Sequence, residues 1–266
     1  MFMKNVLITG ASSGIGKAIK DYFVNNNHFV FALDINSIPE EKNVISFKAD
    51  ITSKEDLNKV STYLKENNIN LDVIINVAGI HKMASLVEND FESIKKVIDI
   101  NLLGTMQVNN VFHKHLIEKG KIIIVTSEVA TMDPLPFNGL YTVSKNALES
   151  YAQALRQELN LLNQKVITIR PGAIKTPLSS NSLTDTDKLS KDTILYQKQA
   201  GKFLNITKKF MGTPLEPTKL GKLTYKVSMK KNPKLSYSIH RNFGLVLLSI
   251  LPKRLQCYVI KLLLNH

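Results

Sequence analysis

The sequence predicts an α/β fold, built on one doubly wound parallel sheet of about seven strands with helices on both faces. Short apolar runs of strand length alternate along the chain with longer segments whose apolar residues recur at helical spacing. Strands that are apolar on both sides suit a parallel sheet covered by helices and joined by right-handed crossovers. Because no repeat or low-complexity linker interrupts residues 1–266, we expect a single domain.

The predicted elements follow one another in a regular order. Strands are expected where the short apolar runs lie, at 5–9, 29–34, 44–49, 71–76, 121–127, 166–170 and 235–239. Helices are expected at 15–25, 55–66, 90–117, 141–162 and 216–229. Two short apolar helices within 243–264 are separated by Pro252, since proline interrupts a helix.

Residues 178–212 differ in composition from their surroundings. They are rich in Ser, Thr, Asp and Lys, with apolar side chains scattered among them. Segments of this length without regular structure are usually lids, binding loops or disordered. We expect a substrate lid here, and its apolar side chains favour an apolar pocket, although they could equally anchor the lid.

Composition excludes several classes of protein. With 44% hydrophobic and 21% charged residues, the 266-residue chain is neither disordered nor collagen-like. Its single cysteine, Cys257, cannot form an internal disulfide, and no secretory signal pattern precedes the first strand. The most apolar stretch, 243–264, contains Pro252 and basic residues and falls short of the roughly 18 uninterrupted apolar residues of a membrane span. We therefore expect a cytoplasmic protein.

The positive charge is confined to the last quarter of the chain. Residues 198–266 contain 14 Lys and Arg residues against Glu216 alone, which equals the whole net charge of +13. One interpretation is that residues 244–251, within a C-terminal extension at 235–266, pack over the substrate pocket or an oligomer interface, while the lysines form a solvated face. The other is peripheral contact of 198–266 with an anionic membrane, where each cation contributes about 1 kcal/mol. An acidic carrier protein is also compatible, whereas nucleic acid is not expected, because no nucleic-acid-binding motif is present.

A glycine-rich turn connects the first strand to the first helix, with the sequence Thr9-Gly10-Ala11-Ser12-Ser13-Gly14-Ile15-Gly16. Glycines let the backbone turn tightly and approach a pyrophosphate, whose charge meets the amides and the positive dipole end of the following helix. Because a strand precedes the turn and a helix follows it, the motif predicts a dinucleotide site on a Rossmann-type sheet. The residues predicted to contact the cofactor here are Gly10, Ser12, Ser13, Gly14, Ile15 and Gly16.

Asp34 ends the second predicted strand, where its carboxylate can accept hydrogen bonds from the adenosine ribose hydroxyls. The same charge would repel the 2′-phosphate of NADP(H), and neither Ser13 nor Ile35 offers a positive charge to attract it. We therefore predict NAD(H), with NADP(H) as the less favoured cofactor. An aspartate that only caps a turn is the structural alternative.

Two side chains four residues apart, Tyr141 and Lys145, share one face of a predicted helix. To act as a base near neutrality, a tyrosine with an ordinary pKa of about 10 needs that pKa lowered to about 7, and an ammonium group together with a positively charged nicotinamide could supply this. Ser127 ends the fifth strand, at the sheet edge where open α/β sheets place ligands. Asn76 and Asn101 add two amides earlier in the chain.

Taken together, these residues resemble the short-chain dehydrogenase/reductase family over about residues 4–177, and the chain is similar to a hydroxysteroid-dehydrogenase-like member of it with an apolar, basic C-terminal extension. The resemblance is carried by the Thr9-to-Gly16 turn, Asp50 after the third strand, Asn76-Val77-Ala78-Gly79, Asn101, Ser127, Tyr141 with Lys145, and Pro171-Gly172 followed by Thr176.

The resemblance implies a role for each matched residue. In such enzymes the residue matching Tyr141 is the general acid/base, the one matching Lys145 lowers its pKa and holds the nicotinamide ribose, and the one matching Ser127 binds the substrate oxygen. The residue matching Asn101 supports a water-linked proton relay. The other residues expected to hold the cofactor are Asp50, Ile51, Asn76, Ala78, Gly79, Pro171, Gly172, Ile174 and Thr176. Val77 and Glu128 depart from the family pattern, which affects the expected specificity and not the expected activity.

The resulting hypothesis is an NAD(H)-dependent oxidoreductase that interconverts a hydrophobic secondary alcohol and ketone, such as a steroid, retinoid or fatty-chain compound, by hydride transfer with tyrosine acid/base catalysis. The family likeness implies a homo-oligomer, either a dimer or a tetramer. A 3-oxoacyl-carrier-protein-type reductase and a non-catalytic dinucleotide-sensing protein are the alternatives. No metal site is expected from the sequence, and His81 is expected to line the substrate cleft as a polar residue.

Overall fold

Seven parallel strands form one sheet in a computed structural model that describes residues 3–210 and 212–265, apart from the side chains at 180–183 and 210. Within these residues the strands are β1 (Asn5–Thr9), β2 (Phe29–Asp34), β3 (Val44–Lys48), β4 (Leu71–Asn76), β5 (Leu116–Val125), β6 (Lys165–Pro171) and β7 (Ser236–Ile239). Their order across the sheet is β3-β2-β1-β4-β5-β6-β7. The direction of winding reverses between β1 and β4, where doubly wound sheets bind ligands at the carboxyl ends of their strands.

Helices connect the strands and extend beyond the last of them. In chain order they are α1 (Gly14–Val24), α2 (Lys54–Glu66), α3 (Phe91–Ile98), α4 (Thr105–Phe112), α5 (Gly139–Asn160), α6 (Pro177–Asp192), α7 (Gln197–Phe210), α8 (Pro217–Met229), α9 (Phe243–Ile250) and α10 (Lys253–Asn265). Among the described helices, none is long and apolar enough to cross a bilayer.

Alternate side chains of each strand pack on opposite faces of the sheet. On β1, Leu7 belongs to the core shared with α2, α4 and α5, whereas Val6 and Ile8 belong to the core shared with α1 and α8. Neither face of the central strands meets water, which is why these strands are apolar along their whole length. The predicted fold class is thus confirmed.

The single long helix predicted at 90–117 is wrong. In the structure α3 ends at Ile98, a π-helical turn occupies Asp99–Gly104, and α4 ends at Phe112 before a short 3₁₀ turn. The turn brings the backbone close to the loop after β3, since a Cβ on Gly104 would lie 2.8 Å from Cδ1 of Ile51. β5 then begins at Leu116, which pairs with Leu71 of β4, so the last apolar residues of the predicted helix belong to the sheet.

The segment 178–212 is not the irregular loop that we expected, because α6 and α7 cover its described residues except for the connection at 193–196 and Gly212. Met211 lies outside the described residues. Two sequence signals for these helices were missed. Thr176 caps α6 and Pro177 occupies its first turn, a common way to begin a helix. In α7, Ala200, Phe203 and Leu204 recur at helical spacing and are buried. The substrate-lid role of this segment stays a prediction.

The C-terminal elements lie within two residues of their predicted positions. β7 pairs with β6 and adds the seventh strand to the sheet. α9 and α10 are separated at Leu251 and Pro252, as expected from the proline. α10 packs against α7 through Ile260 and Leu264, which join a third apolar cluster together with Phe203.

Candidate active site

A cleft of about 950 Å³ lies at the carboxyl ends of β1, β2, β4, β5 and β6. Its size is at the upper end of the roughly 300–1,000 Å³ typical of small-molecule and cofactor sites. Most of the residues predicted from the sequence line it: Gly10, Ser12, Ser13, Gly14, Ile15, Gly16, Asp34, Asp50, Ile51, Ala78, Gly79, Ser127, Tyr141, Lys145, Pro171, Gly172, Ile174 and Thr176. Asn76 and Asn101 lie behind the cleft wall, where they hold it in place. Among the described residues, no group of three or more His, Cys, Asp or Glu side chains is placed to hold a metal.

The glycine-rich turn is packed too closely for side chains at two of its positions. Gly10 has a φ of +68°, and a Cβ there would lie 2.9 Å from the backbone of Ala78. A Cβ on Gly16 would lie 1.9 Å from the carbonyl oxygen of Gly10. No side chain caps α1 at Ser13, and its first turn holds no carboxylate, so its positive dipole end can receive an anion.

The Asp34 carboxylate is held in one orientation by backbone amides at the end of β2. Its Oδ2 accepts a hydrogen bond from the Ser12 amide at 3.0 Å, and its Oδ1 accepts one from the Asn36 amide at 2.9 Å. The side chain is buried but lines the cleft. A fixed negative charge therefore stands beside the glycine-rich turn.

Asp50 and Ile51 form the wall next to β3. Asp50 Oδ1 accepts hydrogen bonds from the Thr52 amide at 2.8 Å and from the Thr52 hydroxyl at 2.7 Å. The Gln107 side chain donates to the Ile51 carbonyl oxygen at 3.0 Å. This part of the cleft is thereby tied to α4.

Asn76 anchors the end of β4 from behind the cleft. Its Nδ2 donates to Asn109 Oδ1 at 2.8 Å, and Asn109 in turn donates to the Tyr151 hydroxyl at 3.2 Å. On the other side of the strand, the Thr9 hydroxyl accepts hydrogen bonds from the amides of Val77 and Ala78 at 3.1 and 3.2 Å. The loop after β4 is therefore fixed to β1, α4 and α5.

Asn101 lies in the π-helical turn and is fully buried. Its Oδ1 accepts from the Ile80 amide at 2.8 Å, while its Nδ2 donates to the Ile80 carbonyl oxygen at 2.9 Å and to the Ser144 hydroxyl at 3.0 Å. Ser144 donates in turn to the carbonyl oxygen of Tyr141 at 2.7 Å. Asn101 thus connects the loop after β4 to the first turns of α5, which makes it a positioning residue in this structure.

Ser127, Tyr141 and Lys145 meet on one wall of the cleft. Lys145 Nζ lies 5.8 Å from the centroid of the Tyr141 ring and makes a long hydrogen bond of 3.5 Å to the Val125 carbonyl oxygen. It also faces Gly79, where a Cβ would lie 3.5 Å from Nζ. Ser127 follows β5 and is within hydrogen-bonding reach of Tyr141.

Burial dominates the ionisation of this pair. It raises the pKa of Tyr141 to about 12, and the hydrogen bond with Ser127 opposes this only in part. Burial lowers the pKa of Lys145 to about 8. The expected lowering of the Tyr141 pKa is therefore not found among the protein's own groups, because loss of water around the phenol outweighs the neighbouring polar contacts.

His81 packs directly against Tyr141, with ring centroids 4.4 Å apart. Its Nε2 makes a hydrogen bond of 3.1 Å with Asn138 Oδ1, and burial lowers its pKa to about 4. The imidazole is therefore neutral at physiological pH. It lines the cleft, and its buried Nδ1 has no hydrogen-bond partner among the described residues. Nothing in the sequence predicted the contact with Asn138.

Glu128, one of the two departures from the family pattern, connects the cleft to the C-terminal extension. Its Oε2 accepts a hydrogen bond from the Asn242 amide at 2.6 Å, just before α9. Burial raises the pKa of Glu128, while Arg241 and His240 act in the opposite direction. The cleft is lined by Glu128 and by the three residues His240, Arg241 and Asn242. The sequence did not indicate that residues 240–242 belong to the cleft.

The loop after β6 closes the cleft on the remaining side. The Gly172 amide donates to the Ile239 carbonyl oxygen at 2.9 Å, and Ile174 forms a bridge with Leu215. Thr176 accepts a hydrogen bond from the Ser179 amide at the start of α6. Its methyl group would lie 3.2 Å from a Cβ on Gly14, so the beginning of α6 faces the glycine-rich turn.

Comparison with known proteins places this geometry in a family. A family model described as short chain dehydrogenase matches residues 4–187. An NADPH-dependent 1-acyldihydroxyacetone phosphate reductase of Schizosaccharomyces pombe is 33% identical over 188 residues, which are 68% of this chain and 63% of the relative. A 3-ketodihydrosphingosine reductase of Bacteroides thetaiotaomicron is 28% identical over 233 residues, 86% of this chain and 84% of the relative.

The fold is shared with solved structures as well. A short chain dehydrogenase family protein from Francisella tularensis superposes with a TM-score of 0.75 at 27% identity, covering 90% of this chain and 97% of that one. The family model spans more than half of the chain, and it includes the glycine-rich turn, Tyr141 and Lys145. The chain therefore belongs to the short-chain dehydrogenase family of oxidoreductases, whose fold binds a nicotinamide dinucleotide.

Proposed function

We propose that the protein is an NAD(H)-dependent oxidoreductase that interconverts a hydrophobic secondary alcohol and ketone. The observation that carries this proposal is the meeting of Ser127, Tyr141 and Lys145 on one wall of a cleft whose other end is the glycine-rich turn. A hydroxyl, a phenol and an ammonium group at this spacing can bind an oxygen atom and move a proton to or from it. A protein that only senses a dinucleotide has no need of this set.

The cleft fits a nicotinamide dinucleotide in three respects. The uncapped end of α1 can receive the pyrophosphate, and the close-packed glycines leave its approach open. The oriented carboxylate of Asp34 can accept hydrogen bonds from ribose hydroxyls and would repel a 2′-phosphate. This favours NAD(H), although the relative from S. pombe is named NADPH-dependent. When bound, the dinucleotide supplies or accepts the hydride.

The residues of the chain would handle the substrate oxygen and its proton. In the reducing direction, Ser127 holds the carbonyl oxygen and Tyr141 donates its phenolic proton to that oxygen as the carbon receives the hydride. In the oxidising direction, Tyr141 takes the hydroxyl proton. Because its pKa is raised to about 12 by burial, the phenol is protonated at neutral pH, which suits donation. Lys145, charged below its pKa of about 8, would stabilise the phenolate that remains.

The substrate end of the cleft supports a hydrophobic substrate. Beyond Tyr141 the wall is largely apolar, with Met83, Val129, Leu135, Phe203, Ile206, Phe243 and Leu245. The names of two relatives specify substrates with an acyl and a sphingosine chain. Among the steroid, retinoid and fatty-chain ketones expected from the sequence, fatty-chain ketones therefore come first, ahead of the hydroxysteroid-like interpretation.

Three further parts of the proposal concern partners and location. By the family likeness, the protein forms a dimer or tetramer. Residues 198–266 make peripheral contact with an anionic membrane, supported by 14 Lys and Arg residues against one acid. The cytoplasmic location stays a prediction.

Reduction of a 3-oxoacyl group on an acidic carrier protein remains the alternative reaction, since the same basic surface fits that partner.

The proposal is tested by turnover and cofactor binding measured on the same preparations. Purified protein is mixed with NAD and a panel of lipophilic secondary alcohols, and with NADH and the matching ketones, while absorbance of NADH is followed. Tyr141→Phe should lower kcat by about 100-fold or more, the usual contribution of a general acid/base, and leave the Kd for NADH unchanged.

Two results would contradict the proposal. A Tyr141→Phe variant with near-normal kcat would remove Tyr141 from the reaction. Normal NADH binding without turnover on any alcohol, ketone or 3-oxoacyl substrate would favour the sensing protein. Tighter binding of NADPH than of NADH would show that the cofactor is NADP(H), and it would not contradict the proposed reaction.

A further inference from the structure

α9 is apolar on both its inward and its outward side. Leu245 and Leu248 point toward the body of the protein, where they line a small cavity. Phe243, Leu247 and Ile250 are 73%, 52% and 72% exposed. These three positions are spaced i, i+4 and i+7, so they form one stripe along the helix. A helix on a water-facing surface carries polar residues on that side, and α9 has no charged residue.

α10 continues this exposed apolar surface. Leu255, Tyr258 and Leu262 are exposed and share one side of the helix. The opposite side, with Gln256 and Leu264, is buried against the rest of the protein. We call the six exposed residues, Phe243, Leu247, Ile250, Leu255, Tyr258 and Leu262, the C-terminal apolar face.

Exposed cations accompany the C-terminal apolar face. Arg241 precedes α9, Lys253 and Arg254 begin α10, and Lys261 lies within it. Asp133 is 3.4 Å from Lys253 and partly offsets its charge. Apolar side chains flanked by cations match an anionic bilayer, where the former enter the acyl boundary and the latter meet headgroups. A second copy of the chain would bring the same positive charges together, which disfavours a self-interface.

The cleft opens beside this face. The residues just before α9 and in its first turn, including Asn242, Phe243 and Leu245, line the cleft. Leu178 of α6 and Phe203 of α7 line it as well. Phe243 thus belongs both to the cleft and to the C-terminal apolar face, so a molecule leaving the acyl region of a bilayer beside α9 would meet an apolar wall.

We propose that the C-terminal apolar face docks on an anionic lipid bilayer and that a lipophilic substrate enters the cleft from the bilayer beside α9. The docking step rests only on the C-terminal apolar face and the cations beside it. The entry step also rests on the proposed function. The two steps therefore need separate measurements.

Docking is tested by co-sedimentation of the full-length protein with phosphatidylcholine vesicles that contain or lack phosphatidylglycerol. The test variant is Leu247→Ser with Ile250→Ser, because neither residue lines the cleft. The matched control is Leu161→Ser with Leu162→Ser, an exposed leucine pair at the other end of the sheet, between α5 and β6. The wild type should bind anionic vesicles, less so at high ionic strength, and the test variant should bind at least about tenfold more weakly than the control.

Three outcomes would overturn docking. The wild type could stay in the supernatant with anionic vesicles at low ionic strength. The test variant could bind as tightly as the control. Light scattering could show that the wild type and the control form an oligomer and that the test variant is a monomer. The face would then be an interface between copies of this chain.

Entry is tested by comparing a long-chain secondary alcohol carried in anionic vesicles with a short, water-soluble one. The test variant should lose kcat/KM on the vesicle-borne alcohol by about the factor it loses in vesicle binding, and should match the control on the soluble alcohol. Equal kcat/KM of the test variant and the control on both substrates would overturn entry from the bilayer. Vesicle binding by a protein that turns over neither substrate would overturn the proposed function and leave docking supported.

Discussion

At the scale of single residues, the candidate active site concentrates groups whose ionisation is set by burial. Burial raises the pKa of Tyr141 to about 12 and lowers that of Lys145 to about 8 and that of His81 to about 4. In each case loss of water disfavours the charged form. At neutral pH the site therefore holds a neutral phenol and a neutral imidazole beside an ammonium group that stays mostly charged, at a place where the proposed reaction needs a proton to move.

Lys145 carries a cost in stability that depends on pH. Its pKa is about 8 in the folded protein and 10.5 in its ordinary environment, so the unfolded chain binds more protons between these values and stability rises with pH there. Below pH 8 the full cost, about 3 kcal/mol, is present. Lys145→Met should therefore be more stable than the wild type by up to about 3 kcal/mol at neutral pH, with a gap that narrows as the pH rises from 8 toward 10.5.

The measurement is denaturant unfolding of both proteins at several pH values. Lys222→Met, which removes an exposed lysine of α8, is the matched control for the lost charge. A Lys145→Met variant that is less stable than the wild type at neutral pH would show that the buried ammonium gains more from its neighbours than it loses in hydration.

Asp34 should decide the choice of cofactor. Asp34→Asn removes the charge and keeps the size of the side chain, so repulsion of a 2′-phosphate ends and the hydrogen bonds to ribose weaken. Hydrogen bonds to a charged group contribute about 1.5–3 kcal/mol, so the ratio of the Kd for NADPH to that for NADH should fall by about tenfold or more. Titration of cofactor fluorescence gives both constants. Asp72→Asn, at the other end of the sheet beside Lys4, is the control, and an unchanged ratio in Asp34→Asn would exclude Asp34 from cofactor choice.

At the scale of elements, one carboxylate holds β5, β6 and α5 together. Glu149 of α5 accepts a hydrogen bond from the Thr126 hydroxyl at 2.7 Å and two from the Arg170 guanidinium at 2.8 Å each. Thr126 immediately precedes Ser127, and Tyr141 lies on the same helix as Glu149. The relative position of the proposed catalytic side chains therefore depends on this contact.

Glu149→Gln should lower stability by about 2 kcal/mol, less than the roughly 3–5 kcal/mol of fully buried pairs, because the Arg170 side chain is 25% exposed. Burial would raise the pKa of Glu149, but the bonds from Arg170 and Thr126 lower it overall, so the stabilisation is present above the ordinary pKa of 4.5 and is lost as the pH falls below it. The difference from wild type in thermal unfolding should shrink in acid. Glu158→Gln, exposed on the same helix, is the control; equal losses in both variants would assign no special role to the contact.

The elements differ in how far their sequence predicts them. Apart from the start of β5, the strands and α1 are specified locally, because continuous apolar runs and a glycine turn admit few other structures. The break at Asp99–Gly104 depends on the approach of Gly104 to Ile51, two residues far apart in the chain. The helices α6 and α7 bury a few apolar side chains against Met83 and Phe137, so a mainly polar sequence hides their tertiary contacts.

The candidate site likewise combines residues that the sequence predicts with contacts that it does not predict. The cleft residues from the glycine turn to Thr176 could be named from the sequence, since their positions after successive strands determine where they meet. The contact of His81 with Asn138 and that of Glu128 with Asn242 join segments distant in the chain, and no local pattern signals them. Nor does spacing reveal burial, which is why the direction of the Tyr141 pKa shift was not foreseen.

At the scale of the whole molecule, the described residues form a sheet with two large cores and a smaller cluster that holds α7 and α10. Both large cores are built from residues 6–239, whereas the third cluster joins Met83 and Phe137 to α7 and α10. Fewer buried contacts hold α6, α7 and α10 than hold the central strands. Regions with few buried apolar contacts open locally at lower free energy than the whole protein.

A substitution at Phe203 tests whether α6, α7 and α10 open separately from the sheet. Phe203 packs edge-on against Phe137, with ring centroids 5.4 Å apart, and belongs to the third cluster. Phe203→Ala removes a buried aromatic ring, a change that lowers the stability of the structure packed around it by about 3–5 kcal/mol. Native-state hydrogen exchange should become faster in α6, α7 and α10 and stay unchanged in β1, β4 and β5. Leu64→Ala, in the core shared by the sheet and α2, should instead speed exchange throughout the sheet. If Phe203→Ala accelerated exchange in the sheet as much as in α6, α7 and α10, the molecule would open as one unit, and substrate access would require global unfolding or a cleft that is already open.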